Sequence, residues 1–336
     1  VSAAGPGAFA AVGALAAGGV LMQAMAWARL NRPIAHEIRF ATLFEASLVG
    51  LAGNILTPST FLGGEPLKVV YAGHASRLPY HQVAGSVLLS KYIEGISFIL
   101  FFSLSAAVAA AGYSELLFEG YLGLGITVMA VAGSLLLLGG ILWLSLSRRW
   151  RPLARLMGGL CRIPFLDRRL EPKRQRVRDM EDQVSRVFAE EGHAVRGAFV
   201  ALAAGHVMIF LKPALFFYLG AGVALEMKEL CFLFVVGQVL LAFQLTPSGA
   251  GMLDGGLIGA FALMGFGEVD QLAQCMAYLL CLRLWDVLAI GIGGLLGARR
   301  GARILSDKPD DTPEEQPPVA CTLSSTRKRD GVSVED

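Results

Sequence analysis

Charged side chains inside long apolar stretches are the residues of this sequence that could do chemistry. Lys91 is followed three positions later by Glu94, and Arg283 is followed at the same spacing by Asp286. Such a spacing places both side chains on one face of a helix, where they can neutralise each other. A charge at the centre of a membrane helix costs about 2.5–3.5 kcal/mol on the insertion scale. Two interpretations stay open: structural ion pairs, or the lining of a polar cavity that binds a phosphate or carboxylate headgroup.

Two more carboxylates and two lysines are candidate headgroup contacts. Glu65 and Asp254 each follow a glycine-containing stretch, and Lys68 lies beside Glu65. Lys212 lies in the middle of an apolar run and precedes a proline, which kinks a helix. The alternatives are structural, because either carboxylate could cap a broken helix and Lys212 could be its partner. The predicted substrate-binding residues are Glu65, Lys68, Lys91, Glu94, Lys212, Asp254, Arg283 and Asp286.

These candidates occur in the same order in the two halves of the chain. The sequence Leu-Thr-Pro-Ser occupies residues 56–59 and again 245–248, and a carboxylate follows each proline by seven residues. A basic residue and an acid three positions later come next in both halves. This order predicts an internal repeat.

Proline and glycine between these features must interrupt helices. We therefore expect residues 54–64 and 244–251 to form the tips of two re-entrant hairpins. Polar side chains at the tips could satisfy the free backbone groups or contact a ligand. Glu45 and Gln23 are weaker candidates, interpreted as buried hydrogen-bonding residues. The predicted tip residues are Asn54, Pro58, Gly64, Thr246, Pro247, Gly249 and Gly251.

The composition places these elements in a membrane. Of 336 residues, 54% are hydrophobic and 17% are charged, against about 25% charged residues in soluble domains. Residues 97–112 and 121–147 carry no charge at all. This pattern excludes a soluble globular enzyme and a disordered chain, and it predicts an all-α polytopic integral membrane protein. The candidate helices cover residues 8–30, 40–56, 83–111, 122–146, 194–223, 230–245, 253–265 and 272–298.

Basic residues predict the orientation of these helices. Residues 147–193 contain twelve Lys and Arg against seven Asp and Glu, which indicates a solvated, partly helical cytoplasmic loop. The first hairpin then enters from the cytoplasm and the second from the opposite face, so the repeats are inverted, as in many secondary transporters. The predicted transmembrane domain covers residues 1–305, and residues 306–336 are predicted to be a disordered cytoplasmic tail.

Several other classes of function lack a signal in this sequence. Five cysteines and five histidines show no metal-ligand spacing, so we expect neither a metal site nor a cofactor. Motifs for nucleophilic catalysis or phosphate cradling are absent. Basic residues without an aromatic platform do not indicate nucleic-acid binding.

The tip motifs resemble a known family. Pro58 followed by Gly64 and Glu65, and Pro247 followed by Asp254 and later Arg283, are similar to the lysylphosphatidylglycerol synthase transmembrane region, also called the flippase-like family. The pattern departs from the family at Asp254, where Glu is usual, and at Lys91 and Glu94, where Arg and Asp are common. Charge is kept in each case, but the reach of the side chain differs.

This resemblance implies movement of a membrane lipid across the bacterial inner (cytoplasmic) membrane by a multi-pass protein. No aminoacyl-transfer domain follows residue 298, so we expect no synthase activity and no enzyme. Lipid-biosynthesis proteins are possible partners. Two alternatives remain: an intramembrane lipid or polyprenyl-linked transferase with Glu65 or Asp254 as general base, and a non-catalytic membrane partner of a lipid-biosynthesis complex.

Overall fold

A computed structural model describes residues 5–34, 38–57, 63–114, 122–148, 177–178, 181–182, 184–243 and 246–306. Regular structure within these residues is helical throughout, which confirms the predicted all-α class. The helices are α1 (Gly5–Asn31), α2 (Phe40–Leu56), α3 (Glu65–Ser76), α4 (Tyr80–Gly112), α5 (Leu122–Ser147), α6 (Gly192–Ala221), α7 (Met227–Ala242), α8 (Met252–Leu263) and α9 (Val269–Ser306), with a 3₁₀ turn at Pro247–Gly249.

Five of these helices are long and apolar enough to cross a membrane: α1, α4, α5, α6 and α9. A helix satisfies its backbone hydrogen bonds internally, so its outer face can carry apolar side chains into lipid. Leu137 on α5 and Val287 on α9 are 68% and 64% exposed. A multi-pass membrane protein explains apolar surfaces of this kind.

Shorter helices form two hairpins at the predicted breaks. The first hairpin consists of α2 and α3, and the second consists of α7, the 3₁₀ turn and α8; the two helices of each hairpin contact each other. With 17, 12, 16 and 12 residues, they are about 18–26 Å long at 1.5 Å per residue. None of them spans the roughly 30 Å of hydrocarbon alone. The 3₁₀ turn also contacts α2, so the tip of the second hairpin reaches the first.

Close helix packing positions the first hairpin within the bundle. Helix α2 packs along α9, and α1 packs along α6. Gly293 of α9 lies where an added Cβ would approach Ala52 of α2 to 2.7 Å. Small residues at such contacts let membrane helices approach closely without a hydrophobic driving force from water.

The largest part of the core lies between α4, α6, α7, α8 and α9. Phe217 and Phe261 are fully buried there, with ring centroids 5.3 Å apart. Phe101 and Phe234 extend this aromatic packing, with centroids 5.1 Å apart. The core therefore fixes the second hairpin against three long helices.

The end of α4 and the start of α7 contact each other, as expected if both lie on the same side of the membrane. Tyr113, after α4, packs on Phe232 near the start of α7, and both ends are predicted to be extracytoplasmic. Burial, followed by the nearby carboxylates of Glu229 and Glu226, raises the pKa of Tyr113 to about 12.

The cytoplasmic ends predicted for α3 and α9 also meet. The Arg300 guanidinium lies 5.1 Å from the centre of the Tyr71 ring. The Tyr71 hydroxyl donates to Glu45 Oε2 at 2.7 Å. Glu45 is therefore a hydrogen-bonding residue as predicted, but it is only partly buried.

Most of the predicted basic loop, and the tail at residues 307–336, lie outside the described residues. The end of the loop is helical over residues 184–190. Val184 and Val187 are buried there, and Phe188 packs edge-on against Trp143 of α5 at 5.3 Å. This end of the loop is therefore packed against the protein instead of being solvated, because apolar residues spaced three apart form a stripe on one helix face.

Candidate functional site

The tip of the first hairpin ends in a glycine that places Glu65. The Gly64 N–H donates to Asn54 Oδ1 at 2.7 Å, so Asn54 satisfies a backbone group at the break. A Cβ on Gly64 would collide with the backbone carbonyl of Gly50 on α2. Only glycine lets α3 begin this close to α2, and Glu65 is its first residue. The predicted tip residue Pro58 lies outside the described residues.

Four charged residues from α3 and α4 form a first charge cluster: Glu65, Lys68, Lys91 and Glu94. Glu65 Oε1 lies 3.0 Å from Lys91 Nζ and 3.3 Å from Lys68 Nζ. Lys91 Nζ also lies 3.0 Å from Glu94 Oε2, as the spacing of three predicts. Gln23 of α1 donates to Glu94 Oε1 at 3.1 Å. The side chains are only 6–22% exposed, and their formal charges cancel.

A small cavity is lined by this cluster together with side chains of α1, α2 and α4. Trp27, Ser47 and Ser90 are among the lining residues. Glu65 Oε2 is buried and accepts no hydrogen bond from any described residue. Buried polar atoms are ordinarily satisfied, so this oxygen is an open acceptor.

The second hairpin tip contains left-handed backbone at a serine and at glycines. The turn at Pro247–Gly249 contains Ser248 at φ 56°, and Gly251 follows at φ 84°. The Thr246 hydroxyl donates to the Ala250 carbonyl at 2.9 Å. The predicted break is therefore confirmed at this tip, and Thr246 satisfies a free backbone group.

Arg283 of α9 joins that tip to the second charge cluster, which consists of Asp254, Arg283 and Asp286. Its Nη2 donates to both carboxylate oxygens of Asp254 at 2.9 Å, and its Nε donates to Oδ1 at 3.1 Å. Its Nη1 donates to the Ser248 carbonyl at 2.7 Å. The Gly251 N–H donates to Asp254 Oδ2 at 3.0 Å, so Asp254 both caps α8 and pairs with Arg283.

Asp286 completes the second charge cluster through Ser248. The Ser248 hydroxyl donates to Asp286 Oδ2 at 2.6 Å, and Arg283 Nη1 lies 3.4 Å from the same oxygen. The three charged side chains are 23–35% exposed, more than those of the first charge cluster. The second charge cluster is the more accessible of the two in this conformation.

Lys212 of α6 forms no ion pair with any residue that the structure describes. It interacts electrostatically with Asp286, and it does not pair with Glu65 or Asp254, which have basic partners on α4 and α9 instead. Pro213 lies inside a helix that continues on both sides. Lys212 is therefore a second basic residue near the second charge cluster.

Equivalent positions of the sequence repeat make equivalent contacts. Glu65 pairs with Lys91 at 3.0 Å, and Asp254 pairs with Arg283 at 2.9 Å. In each half the basic residue also contacts the acid three positions later. This correspondence supports a repeated unit, and the inverted orientation of the halves stays a prediction.

Two partners were missed by reasoning from sequence. Ser248 bridges Arg283 and Asp286, and its only signal was its place in the repeated Leu-Thr-Pro-Ser motif. Gln23 was expected to be a buried hydrogen-bonding residue, but nothing in the sequence indicated Glu94 as its partner. No group of three His, Cys, Asp or Glu side chains that could hold a metal occurs in the described part of the chain.

The fold and site define a multi-pass, helical membrane protein whose two broken hairpins contribute to partly buried charge clusters. The chain belongs to the family described as the lysylphosphatidylglycerol synthase TM region, whose model matches residues 1–294. This match confirms the resemblance carried by the tip motifs and associates the protein with lipid handling.

A curated relative supports this family. The chain is similar to a UPF0104 membrane protein from Methanothermobacter thermautotrophicus, with 22% identity over 286 residues, which cover 80% of this chain and 79% of that protein. No solved structure matches the chain significantly. The binding roles of the charged residues stay predictions.

Proposed function

We propose that the protein translocates a lipid with a polar headgroup across the inner (cytoplasmic) membrane and catalyses no covalent reaction. The observation that carries this proposal is the pair of charge clusters, each built where a broken hairpin meets a long membrane helix. Ionisable residues at such depth are costly, and they characteristically mark a polar path through a membrane protein.

The contacts suggest how a headgroup could enter this path. Arg283 offers a planar fork suited to phosphate, although Asp254 occupies it in this conformation. Lys212 has no ion-pair partner among the described residues and lies near the more exposed second charge cluster. A phosphate could exchange with Asp254 on Arg283 while Lys212 balances the added negative charge. The acyl chains would stay in lipid throughout.

Leaflet exchange in proteoliposomes tests the proposal. Acyl-labelled fluorescent phospholipids would be quenched from outside with dithionite, for wild type, Glu65→Gln and Asp254→Asn. We expect rapid loss of inner-leaflet fluorescence for wild type and a loss of at least about tenfold in rate for both variants. Glu45→Gln is the matched control, because Glu45 is a partly buried carboxylate outside both clusters that bonds Tyr71. Wild-type exchange no faster than in empty liposomes would refute the proposal.

One observation favours a second candidate, an intramembrane lipid transferase. The open acceptor Glu65 Oε2 could take a proton as general base. Mass spectrometry of the same liposomes separates the two functions, since a transferase changes the mass of its lipid and a flippase changes only its leaflet. If neither exchange nor a new product is found, the proposal to pursue is a non-catalytic partner of lipid-biosynthesis proteins.

A further inference from the structure

We propose that the cavity at the first charge cluster selects a zwitterionic headgroup that joins a primary ammonium to a phosphate, as in phosphoethanolamine. This inference rests on the proposed function and specifies its substrate class. Three features of the cavity support it: an open acceptor, open donors and the balance of charge.

The open acceptor is Glu65 Oε2. The other oxygen, Oε1, already contacts both Lys68 and Lys91, while Oε2 is buried without a donor in the described part of the chain. A buried carboxylate oxygen is ordinarily satisfied by an N–H or O–H group. A primary ammonium supplies such a donor, whereas the quaternary ammonium of choline has none.

The open donors belong to Lys68. Its side chain is 6% exposed, and among the described residues Nζ contacts only Glu65, at 3.3 Å. An ammonium carries three N–H donors, so Lys68 has donors left for a phosphate. Lys91, by contrast, is shared between two carboxylates. Both an acceptor and a donor are therefore unfilled within one cavity.

Charge balance separates a zwitterion from an anion. The cluster contains two lysines and two glutamates, and each is paired within it. A net-negative headgroup such as phosphoglycerol would leave one uncompensated charge in a poorly solvated site, which is strongly unfavourable. A zwitterion adds a charge of each sign and leaves the sum at zero.

The cavity is small in this conformation, since its free space is comparable to that of one water molecule. A headgroup can therefore enter only if the helices around the first charge cluster move apart. The headgroup would occupy the cavity between α1, α2, α3 and α4 while the acyl chains remain outside.

Binding of three short-chain lipids to the purified full chain tests this inference without requiring transport. The probes are dioctanoyl phosphatidylethanolamine, phosphatidylcholine and phosphatidylglycerol, and the readout is the Kd from native mass spectrometry. We expect the ethanolamine lipid to bind at least about tenfold more tightly than the choline lipid, because only it can donate to Glu65 Oε2. It should also bind more tightly than the glycerol lipid.

Two variants test the two charges separately. Glu65→Gln gives the cluster a net positive charge. The ratio of the Kd values for the choline and ethanolamine lipids should therefore fall towards one, and the affinity for phosphatidylglycerol should rise relative to both. Lys68→Met keeps the alkyl chain that lies against Gly50 but removes a donor. This variant should bind all three lipids more weakly, and the anionic lipid should lose the most affinity. The preference for the ethanolamine lipid over the choline lipid should remain. Glu45→Gln should retain the wild-type order.

Equal Kd values for the ethanolamine and choline lipids, tighter binding of phosphatidylglycerol to wild type, or no binding of any probe would overturn the inference. The same is true if Glu65→Gln keeps the wild-type selectivity. Selective binding without leaflet exchange would uphold the inference and refute the proposed function. Leaflet exchange without selective binding would uphold the proposed function and refute the inference.

Discussion

Arg283 is expected to hold the tip of the second hairpin, and a double-mutant cycle with Asp254 measures how strongly it does so. The pair joins α9 to the first turn of α8 through three N–H···O contacts of 2.9–3.1 Å. Arg283 also donates to the carbonyl of Ser248, whose left-handed backbone lies in the turn itself. The cycle consists of Arg283→Gln, Asp254→Asn and both changes together.

The magnitude follows from the contacts and their exposure. Removing one partner of a fully buried pair costs about 3–5 kcal/mol, and a hydrogen bond to a charged group contributes about 1.5–3 kcal/mol. Because Arg283 and Asp254 are 23% and 30% exposed, water compensates part of this loss. We expect the free energy of unfolding to fall by about 2–4 kcal/mol for Arg283→Gln and about 1.5–3 kcal/mol for Asp254→Asn. Arg283→Gln should cost more because it leaves two carboxylates without their arginine.

The coupling energy is the decisive quantity. Once one partner has been replaced, replacing the other removes less stability. The loss in free energy of unfolding for the double variant should therefore be about 1–2 kcal/mol smaller than the sum of the two single losses. Reversible unfolding in mixed micelles with increasing dodecyl sulfate measures all four free energies. The exposed pair of Glu226 and Lys228, 2.9 Å apart, is the control cycle, and we expect at most about 0.5 kcal/mol there. A coupling as small for Arg283 and Asp254 would refute the reasoning that this arginine secures the hairpin tip.

Two further predictions concern the hairpins. Gly64→Ala should destabilise the protein by about 1–3 kcal/mol in a thermal unfolding assay, because the added methyl group meets a backbone carbonyl of α2. Gly95→Ala is the control. It should be neutral or slightly stabilising in that assay, because Gly95 has open space around it. Single cysteines replacing Ser76, at the end of the first hairpin, and Ala224, before the second, should react with an impermeant maleimide from opposite sides of the membrane in a cysteine-free background. Labelling of both from one side would contradict the inverted repeat.

Much of the fold could be predicted from the sequence because membrane-spanning helices are recognisable from the hydropathy of a short segment. The run at residues 83–111 is apolar over more than the thickness of the bilayer, and the structure has α4 at Tyr80–Gly112. Proline and glycine marked the second tip because they change the backbone at their own positions. The ion pair of Lys91 and Glu94 was likewise predictable, because a spacing of three within one helix fixes the distance between two side chains.

The contacts between helices could not be predicted in this way. Asp254 has no basic residue near it in sequence, and Glu65 has only Lys68. The sequence does not show which helix lies opposite each carboxylate. Gln23 and Glu94 are 71 positions apart, and Ser248 and Asp286 are 38 apart. Such pairs depend on the crossing of separate helices, which is set by packing over whole surfaces.

By itself, then, the sequence determined a helical membrane protein, the places where its helices break, and the ion pairs within a single helix turn. These features depend on hydrophobic length, backbone dihedral angles and the 3.6-residue period, all of which are local. Only the tertiary structure decided that Glu65 faces a cavity with one oxygen that no described residue contacts, while both carboxylate oxygens of Asp254 bond Arg283. Satisfaction of a buried carboxylate depends on which helices surround it, and that is fixed only when the whole bundle has packed.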